Sequence, residues 1–147
     1  MTTASLDKPT FIALLDELIP ARNESLPGAG SLGIEDAIET RLGEAIPLVA
    51  NGLATLDEKA KGLGHSGFLN LPKSERASIV GEAAKAVPGL VEVLMYHAYG
   101  LYYANPRVVA ALGMKADPPF PGGYELEQGD LGLLDSVRQR EKLYREV

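Results

Sequence analysis

Two histidines, His65 and His97, are the first residues in this chain that could carry acid–base chemistry. A histidine works as a general base when a carboxylate orients its ring, and a neighbouring helix could supply one to His97. A lone histidine on an apolar helix face is more often packed in a core, and that is the interpretation we favour for His97. His65 lies between glycines, where a solvated loop residue is expected.

Metal and phosphate binding are not predicted. A mononuclear metal site needs three or four convergent ligands, and two histidines without a Glu-x-x-His, a His-x-His or any cysteine do not supply them. The glycine cluster from Pro27 to Gly33 precedes a helix, as phosphate-binding loops do, but no buried strand comes before it and no lysine follows. We expect these glycines to permit a tight turn. We assign no catalytic, cofactor-binding or metal-binding residue to the chain.

Tyrosine is the residue type with the clearest pattern. Four of the six tyrosines lie between Pro88 and Pro106, a segment that we interpret as one helix with a proline at each end. On a helical wheel this segment has a broad apolar face and, beside it, a narrow stripe. The apolar face comprises Val91, Leu94, Met95, Ala98, Leu101 and Tyr102, and the stripe comprises Glu92, Tyr96, Tyr99 and Tyr103.

A helix that is apolar around most of its circumference has two possible positions. It lies in the middle of a bundle, or it gives one face to its own core and another to a second protein. Phenol rings combine apolar area with a polar tip, so the stripe suits interior packing with hydroxyls at the rim as well as it suits an interface. Gly100 at mid-helix costs about 1 kcal/mol relative to alanine, which predicts that a neighbouring helix or a partner's backbone approaches closely there.

The remaining segments are also predicted to be helical. The first helix is expected to be capped by Thr10 and to turn Asp16 and its acidic neighbour outward, while Pro47 and Pro72 suit the first turns of later helices. No stretch shows the alternation of a β-strand. We therefore predict an all-α fold, a bundle of five to six helices around the tyrosine-rich helix of residues 88–104, with long loops rich in proline and glycine.

The whole chain, residues 1–147, is expected to form a single small helical domain. Residues 114–130 are rich in proline and glycine and are predicted to form an extended surface loop. Residues 131–147 are predicted to form a C-terminal helix with its apolar side chains turned inward. These side chains are Leu133, Leu134 and Val137, with Leu143 and Tyr144 as further candidates.

The composition excludes several classes of function. The formal net charge is −6, and no basic stripe is present, which argues against binding to nucleic acid. The apolar stretches are too short and too interrupted to insert into a membrane. Residues 1–11 contain no twin-arginine motif, basic run or apolar segment of an export signal, so we expect a cytoplasmic protein, or a periplasmic one if the sequence is a mature form.

Seven short motifs in order make the sequence resemble the gluconate 2-dehydrogenase subunit 3 family across residues 11–124. The motifs are Glu17-Leu18-Ile19-Pro20, Leu26-Pro27-Gly28-Ala29 with Gly33-Ile34, Gly52-Leu53-Ala54-Thr55-Leu56-Asp57, Phe68 with Leu71, Tyr99-Gly100-Leu101-Tyr102-Tyr103-Ala104-Asn105-Pro106, Ala111-Leu112-Gly113, and Pro118-Pro119-Phe120-Pro121-Gly122-Gly123-Tyr124.

The resemblance implies a small helical subunit that carries no cofactor. Such subunits pair with a large FAD-dependent oxidoreductase of the glucose-methanol-choline type, which holds the flavin and the catalytic base and oxidises a sugar, a sugar acid or another alcohol. A cytochrome c subunit often accepts the electrons. The small subunit is needed for the assembly, stability and often the export of its partner, and it is not known as a catalyst.

Two features common in the family are missing from this sequence. One is the twin-arginine signal, and the other is the cysteine that in some relatives links the two subunits. We therefore expect a noncovalent complex in the cytoplasm. The residues predicted to contact the partner are Tyr96, Tyr99, Tyr103, Asn105, Pro106, Pro119, Phe120 and Tyr124.

Two alternatives remain open from the sequence. The chain could be a self-sufficient enzyme or a small-molecule-binding protein, with a pocket beside the central helix that uses His97, Glu92 or a tyrosine as acid or base. It could also form a homo-oligomer in which the apolar stripe pairs with itself.

Overall fold

The computed structural model describes residues 6–22, 25–115, 123 and 129–141, and these residues form an all-α protein. No β-strand occurs in those ranges beyond one isolated bridge between Arg22 and Leu26. The predicted fold class is therefore confirmed. The helices are α1 (Lys8–Leu18), α2 (Glu35–Leu42), α3 (Ile46–Gly62), α4 (Lys73–Ala86), α5 (Leu90–Tyr102), α6 (Pro106–Ala111) and α7 (Asp135–Arg138), and short 3₁₀ turns lie at Ala29–Ser31, Gly43–Ala45, Phe68–Asn70 and Leu131–Leu134.

Local chemistry explains where the helices begin. Asp7 caps α1, since its side chain accepts the Thr10 N–H at 3.3 Å. The predicted cap at Thr10 was therefore wrong, and Thr10 is instead buried in the first turn. α5 is two residues shorter at each end than predicted, because Gly89 precedes it in a left-handed conformation (φ 89°) and Tyr103 already forms its C-cap. No helix in the described part of the chain is long and apolar enough to cross a membrane.

One apolar core joins the helices of residues 6–115. Its largest fully buried side chains include Phe11, Phe68, Leu56 and Leu94. α3 packs against both α4 and α5, and α2 packs against α5. The contacts do not confirm that the other helices are arranged around α5.

The faces of α5 follow the helical wheel. Leu90, Leu94, Ala98 and Tyr102 are buried at every fourth position, and Met95 and Leu101 beside them are partly buried. The opposite side carries the tyrosine stripe and is exposed. Of the two positions considered for this helix, the structure has the one in which α5 gives one face to its own core and leaves another open.

The close approach expected at Gly100 occurs at another glycine. A methyl group added to Gly100 would meet nothing nearer than the Arg41 guanidinium at 3.8 Å, so no helix backbone approaches there within the described residues. A methyl group at Gly52 in α3 would instead lie 2.6 Å from Cδ2 of Leu90, which is fully buried in α5. The glycine that lets α5 pack closely is therefore on the facing helix.

The chain divides into two compact units, Met1–Ala116 and Asp117–Val147. In the second unit, the described residues 131–141 form a 3₁₀ turn and the four-residue α7 where part of the C-terminal helix of residues 131–147 was predicted. The predicted inward positions were wrong, because Leu133, Leu134 and Val137 are 76%, 46% and 53% exposed. Asp130 accepts the Gly132 N–H at 2.9 Å and caps a turn instead of a long helix, and eight helical residues are too few to bury an apolar face. Leu143 and Tyr144 lie outside the described residues.

Candidate functional site

The tyrosine stripe lies on the exposed side of α5. Tyr96 is 79% exposed, Tyr99 44% and Tyr103 55%. The rings of Tyr99 and Tyr103 lie one turn apart with their centroids at 5.8 Å and an interplanar angle of 34°. Exposed aromatic side chains in such a row are unusual on a monomer surface and typical of a protein interface.

Two of the stripe tyrosines form one wall of a groove of about 440 Å³. The opposite wall comes from the end of α1 and the connection after it, and Leu112 after α6 closes one side. The residues that line this groove, which we call the tyrosine groove, are Leu18, Ile19, Pro20, Arg22, Leu26, Tyr99, Tyr102, Tyr103 and Leu112. Arg22 is the only charged side chain among them. The groove is therefore mainly apolar and aromatic, with one cation in its wall.

Tyr102 fastens α5 to the opposite wall of the tyrosine groove. Its hydroxyl donates a hydrogen bond of 2.8 Å to the carbonyl oxygen of Pro27, 75 positions earlier in the chain. Its ring also contacts that of Tyr103 edge to face, at 5.2 Å between centroids. Burial, with a smaller contribution from the neighbouring Tyr103, raises the pKa of Tyr102 above the 10.0 of an ordinary tyrosine.

Asp16 holds the turn that carries Pro27. Its carboxylate accepts the Gly30 N–H at 2.8 Å. The prediction that Asp16 faces outward did not include this contact with the loop. A methyl group on Gly30 would lie 2.5 Å from the backbone oxygen of Ile12, and one on Gly28 would collide with the Asp16 carboxylate. These glycines are needed because the loop lies directly against α1. In the predicted tight turn, only Gly33 has a positive φ, of 67°.

Removing the Tyr102 hydroxyl tests this attachment. We expect Tyr102→Phe to lower the free energy of unfolding by about 1 kcal/mol, because the Pro27 carbonyl loses its donor. The matched control is Tyr103→Phe, whose hydroxyl lies on the exposed side, and which should change stability by less than about 0.5 kcal/mol. Urea unfolding at neutral pH measures both.

The pKa of Tyr102 adds a pH dependence to this comparison. Its folded pKa is raised, so the stabilising contribution of the neutral phenol is fully present below pH 10.0 and is lost as the pH rises above it. We expect the stability difference between the wild type and Tyr102→Phe to shrink above that pH. A difference that stays constant above pH 10.0 would contradict the raised pKa of the buried Tyr102.

A second groove, of about 560 Å³, adjoins the first. Pro20 and Leu26 line both grooves, so the two share a wall. The other residues that line the second groove are mostly polar: Asp16, Glu17, Ala21, Pro27, Gly28, Ser31, Lys73 and Arg76. We call the two adjoining grooves together the channel; it lies along the end of α1 and has a mainly apolar part and a charged part.

The other predicted interface residues have different environments. Asn105 caps α6, since its side chain accepts the Arg107 N–H at 3.0 Å, and Pro106 occupies the first turn, where a missing N–H has no cost. The capping role of Asn105 was not predicted from the sequence. Pro119, Phe120 and Tyr124 lie outside the described residues.

The structure does not bring the candidate acid–base residues into one pocket. His97 is half-buried rather than packed in the core, and its ring meets Tyr96 edge to face at 5.1 Å. His97 and Glu92 line neither groove. His65 lies 3.7 Å from Glu75 and is partly exposed, as expected for a loop residue. Within the described ranges no three His, Cys, Asp or Glu side chains are grouped to hold a metal ion.

Comparison with known proteins returned no match: no family model, no curated protein and no solved structure aligns significantly with this chain. The family resemblance of the sequence therefore stays a prediction.

Sequence reasoning found one wall of the site and missed the other. The wheel placed Tyr99 and Tyr103 together, but the facing residues Pro20 and Leu26 are distant in sequence and entered only as parts of the family motifs. Arg22 was in no motif and no periodic face, so no sequence signal assigned it to the site.

Proposed function

We propose that this chain is a noncatalytic small subunit that binds and stabilises a large FAD-dependent oxidoreductase of the glucose-methanol-choline type. The partner would oxidise a sugar, a sugar acid or another alcohol, and its electrons could pass to a cytochrome c. FAD and the catalytic base belong to the partner in this proposal. The order of the sequence motifs supports the choice of partner.

The observation that carries the proposal is the exposed aromatic surface of α5. Tyr96, Tyr99 and Tyr103 present large ring areas to solvent on a helix whose opposite face is anchored in the core. Tyrosine is among the residues enriched at the energetic centres of protein interfaces, because it buries a large area with few rotatable bonds. A rigid helix carrying three such rings is suited to docking against a second protein.

The chemistry of the tyrosine groove also favours a binding role over catalysis. A catalytic site needs a base or nucleophile within hydrogen-bond reach of a polar partner, inside a pocket. The tyrosine groove contains phenols, aliphatic side chains and one arginine. The alternative enzyme with His97 and Glu92 has no comparable support, since neither residue lines this groove.

The proposed subunit acts by binding only the native form of its partner. Any ligand that binds the folded state and not the unfolded state stabilises the folded state, by about 2.7 kcal/mol at a concentration 100 times its Kd. Covering the tyrosine rings at the same time removes an apolar surface from water. The benefit to the partner is therefore retention of its fold and its flavin.

Co-expression tests the proposal. An FAD-dependent oxidoreductase of the glucose-methanol-choline type from the same organism is produced with and without this chain, and soluble yield, bound flavin per polypeptide and dye-linked activity are measured. We expect all three to fall without the small subunit, and the two chains to co-elute on size exclusion. A large subunit that is equally soluble, flavin-loaded and active alone would refute the proposal. Purified small subunit that oxidises substrate unaided would support the enzyme alternative.

A further inference from the structure

We propose that the channel formed by the two adjoining grooves receives an extended segment of the partner that presents an apolar side chain to the tyrosines and a carboxylate to Arg22. This inference rests on the proposed function and specifies how the partner is recognised. It concerns the region around Pro20 and Leu26, which the predicted interface did not include. The occupant is a polypeptide of apolar and acidic character.

The shape of the channel favours an extended segment. The tyrosine groove and the charged groove meet at Pro20 and Leu26, so a segment that crosses these two residues contacts both grooves. Each groove is partly open to solvent, and residues of α1 and α5 line the first. An extended chain places successive side chains on alternate sides, which suits an apolar contact followed by a polar one.

The charges of the channel select an acidic occupant. Among the described residues, its walls carry three basic side chains, Arg22, Lys73 and Arg76, and two acidic ones, Asp16 and Glu17, a net charge of one positive. Asp16 is already engaged by the Gly30 N–H. This basic excess contrasts with the formal charge of −6 of the whole chain. A positive site on an acidic protein is complementary to a carboxylate.

Arg22 and Lys73 are free to meet such a carboxylate. Neither side chain takes part in a hydrogen bond or an ion pair within the described residues, and both are exposed. Arg76 is different, because its guanidinium donates to the carbonyls of Leu69 at 2.8 Å and Leu71 at 3.2 Å and lies over the Phe68 ring. Arg76 therefore contributes a positive charge that is held in place by these contacts. Arg22 can form a bidentate ion pair with a carboxylate of the partner.

A second copy of this chain fits the channel less well. Two chains of charge −6 repel each other at low salt, and a symmetric pair would place one copy of the groove against the other instead of filling it. A convex segment of a larger protein fills the groove without that repulsion. The oligomeric state of the pure chain distinguishes these occupants.

The test uses the purified complex with the flavin oxidoreductase of the co-expression experiment. We expect Arg22→Glu to weaken binding by about tenfold or more at low salt, and Arg22→Gln to weaken it less, because only the first adds repulsion. The difference should shrink at high salt, where charges on the rim are screened. The matched control is Lys85→Glu at the far end of α4, which should bind within about twofold of the wild type.

Zero-length carbodiimide cross-linking locates the occupant directly. Lys73 should become coupled to an aspartate or glutamate of the partner that has an apolar residue close to it in sequence, and Lys73→Arg should remove that product. Circular dichroism confirms that each variant is folded.

The outcomes separate this inference from the proposed function. If the wild-type chains form no complex, the proposed function fails and this inference fails with it. If a complex forms but Arg22→Glu binds as tightly as Lys85→Glu, the channel does not recognise a carboxylate and only this inference is overturned. A dimer of the pure chain that Arg22→Glu dissociates would assign the channel to a second copy and would also overturn it.

Discussion

Replacing Gly30 with alanine should destabilise this protein by about 3 kcal/mol, the upper part of the usual range for overpacking a close contact. The added methyl group would lie 2.5 Å from the backbone oxygen of Ile12 and 2.8 Å from the Asp16 carboxylate. A backbone carbonyl inside α1 cannot move aside as a flexible side chain does. Thermal unfolding should show a fall in Tm of roughly 6–12 °C for a chain of this size.

Gly81→Ala is the matched control for this substitution. Gly81 lies within α4, and an added methyl group there meets nothing within 4 Å. Its replacement should stabilise the protein by up to about 1 kcal/mol through helix propensity alone. Replacing glycine with alanine is thus expected to lower the free energy of unfolding at position 30 and to raise it at position 81. Equal effects would mean that the loop does not lie against α1.

The Gly30 substitution also bears on the site. Pro27, which accepts the Tyr102 hydrogen bond, lies in the same connection, and Asp16 lines the charged groove. A shift of this connection moves the wall that faces Tyr99 and Tyr103. We therefore regard the close contact between the loop and α1 as the structural basis of the channel as well as a source of stability.

Local patterns predicted the buried face of α5 and the starts of two other helices. Positions 94, 98 and 102 of α5 were assigned to the apolar face by their spacing, and all three are buried. The positions of prolines 47 and 72 marked helix starts for a similarly local reason, since a proline at the start of a helix loses no hydrogen bond. Periodicity and proline positions depend only on near neighbours, which is why a single sequence reveals them.

Contacts between distant segments were not predictable in the same way. The partner of Gly30 is 14 positions away and that of the Tyr102 hydroxyl 75, so nothing in the local sequence indicates either. Gly52 and Gly100 are both mid-helix glycines, and only the packing of α3 against α5 shows which one meets a neighbour. The prediction for the C-terminal segment was wrong for another reason. Helical spacing of apolar residues indicates burial only where a helix long enough to pack is formed, and the described residues of this segment form only short turns.

The largest functional effect is expected from the double substitution of Tyr99 and Tyr103 with serine. Central interface tyrosines typically contribute 2 kcal/mol or more when truncated, so the affinity for the flavin oxidoreductase should fall at least about 30-fold. Both rings are about half exposed, and their loss should cost the isolated chain little stability. Biolayer interferometry on the purified subunits measures the change in Kd.

The control for this variant must also remove an exposed apolar side chain. Leu63→Ser serves, because Leu63 is 57% exposed at the end of α3 and lines neither groove of the channel. It should leave the affinity within about twofold of the wild type, as expected for a residue outside the energetic centre. If Leu63→Ser weakened binding as much as the tyrosine variant, the association would reflect general hydrophobicity. A Kd that neither variant changes would place the interface on another face of the chain, because rings that contribute nothing when removed cannot anchor the partner.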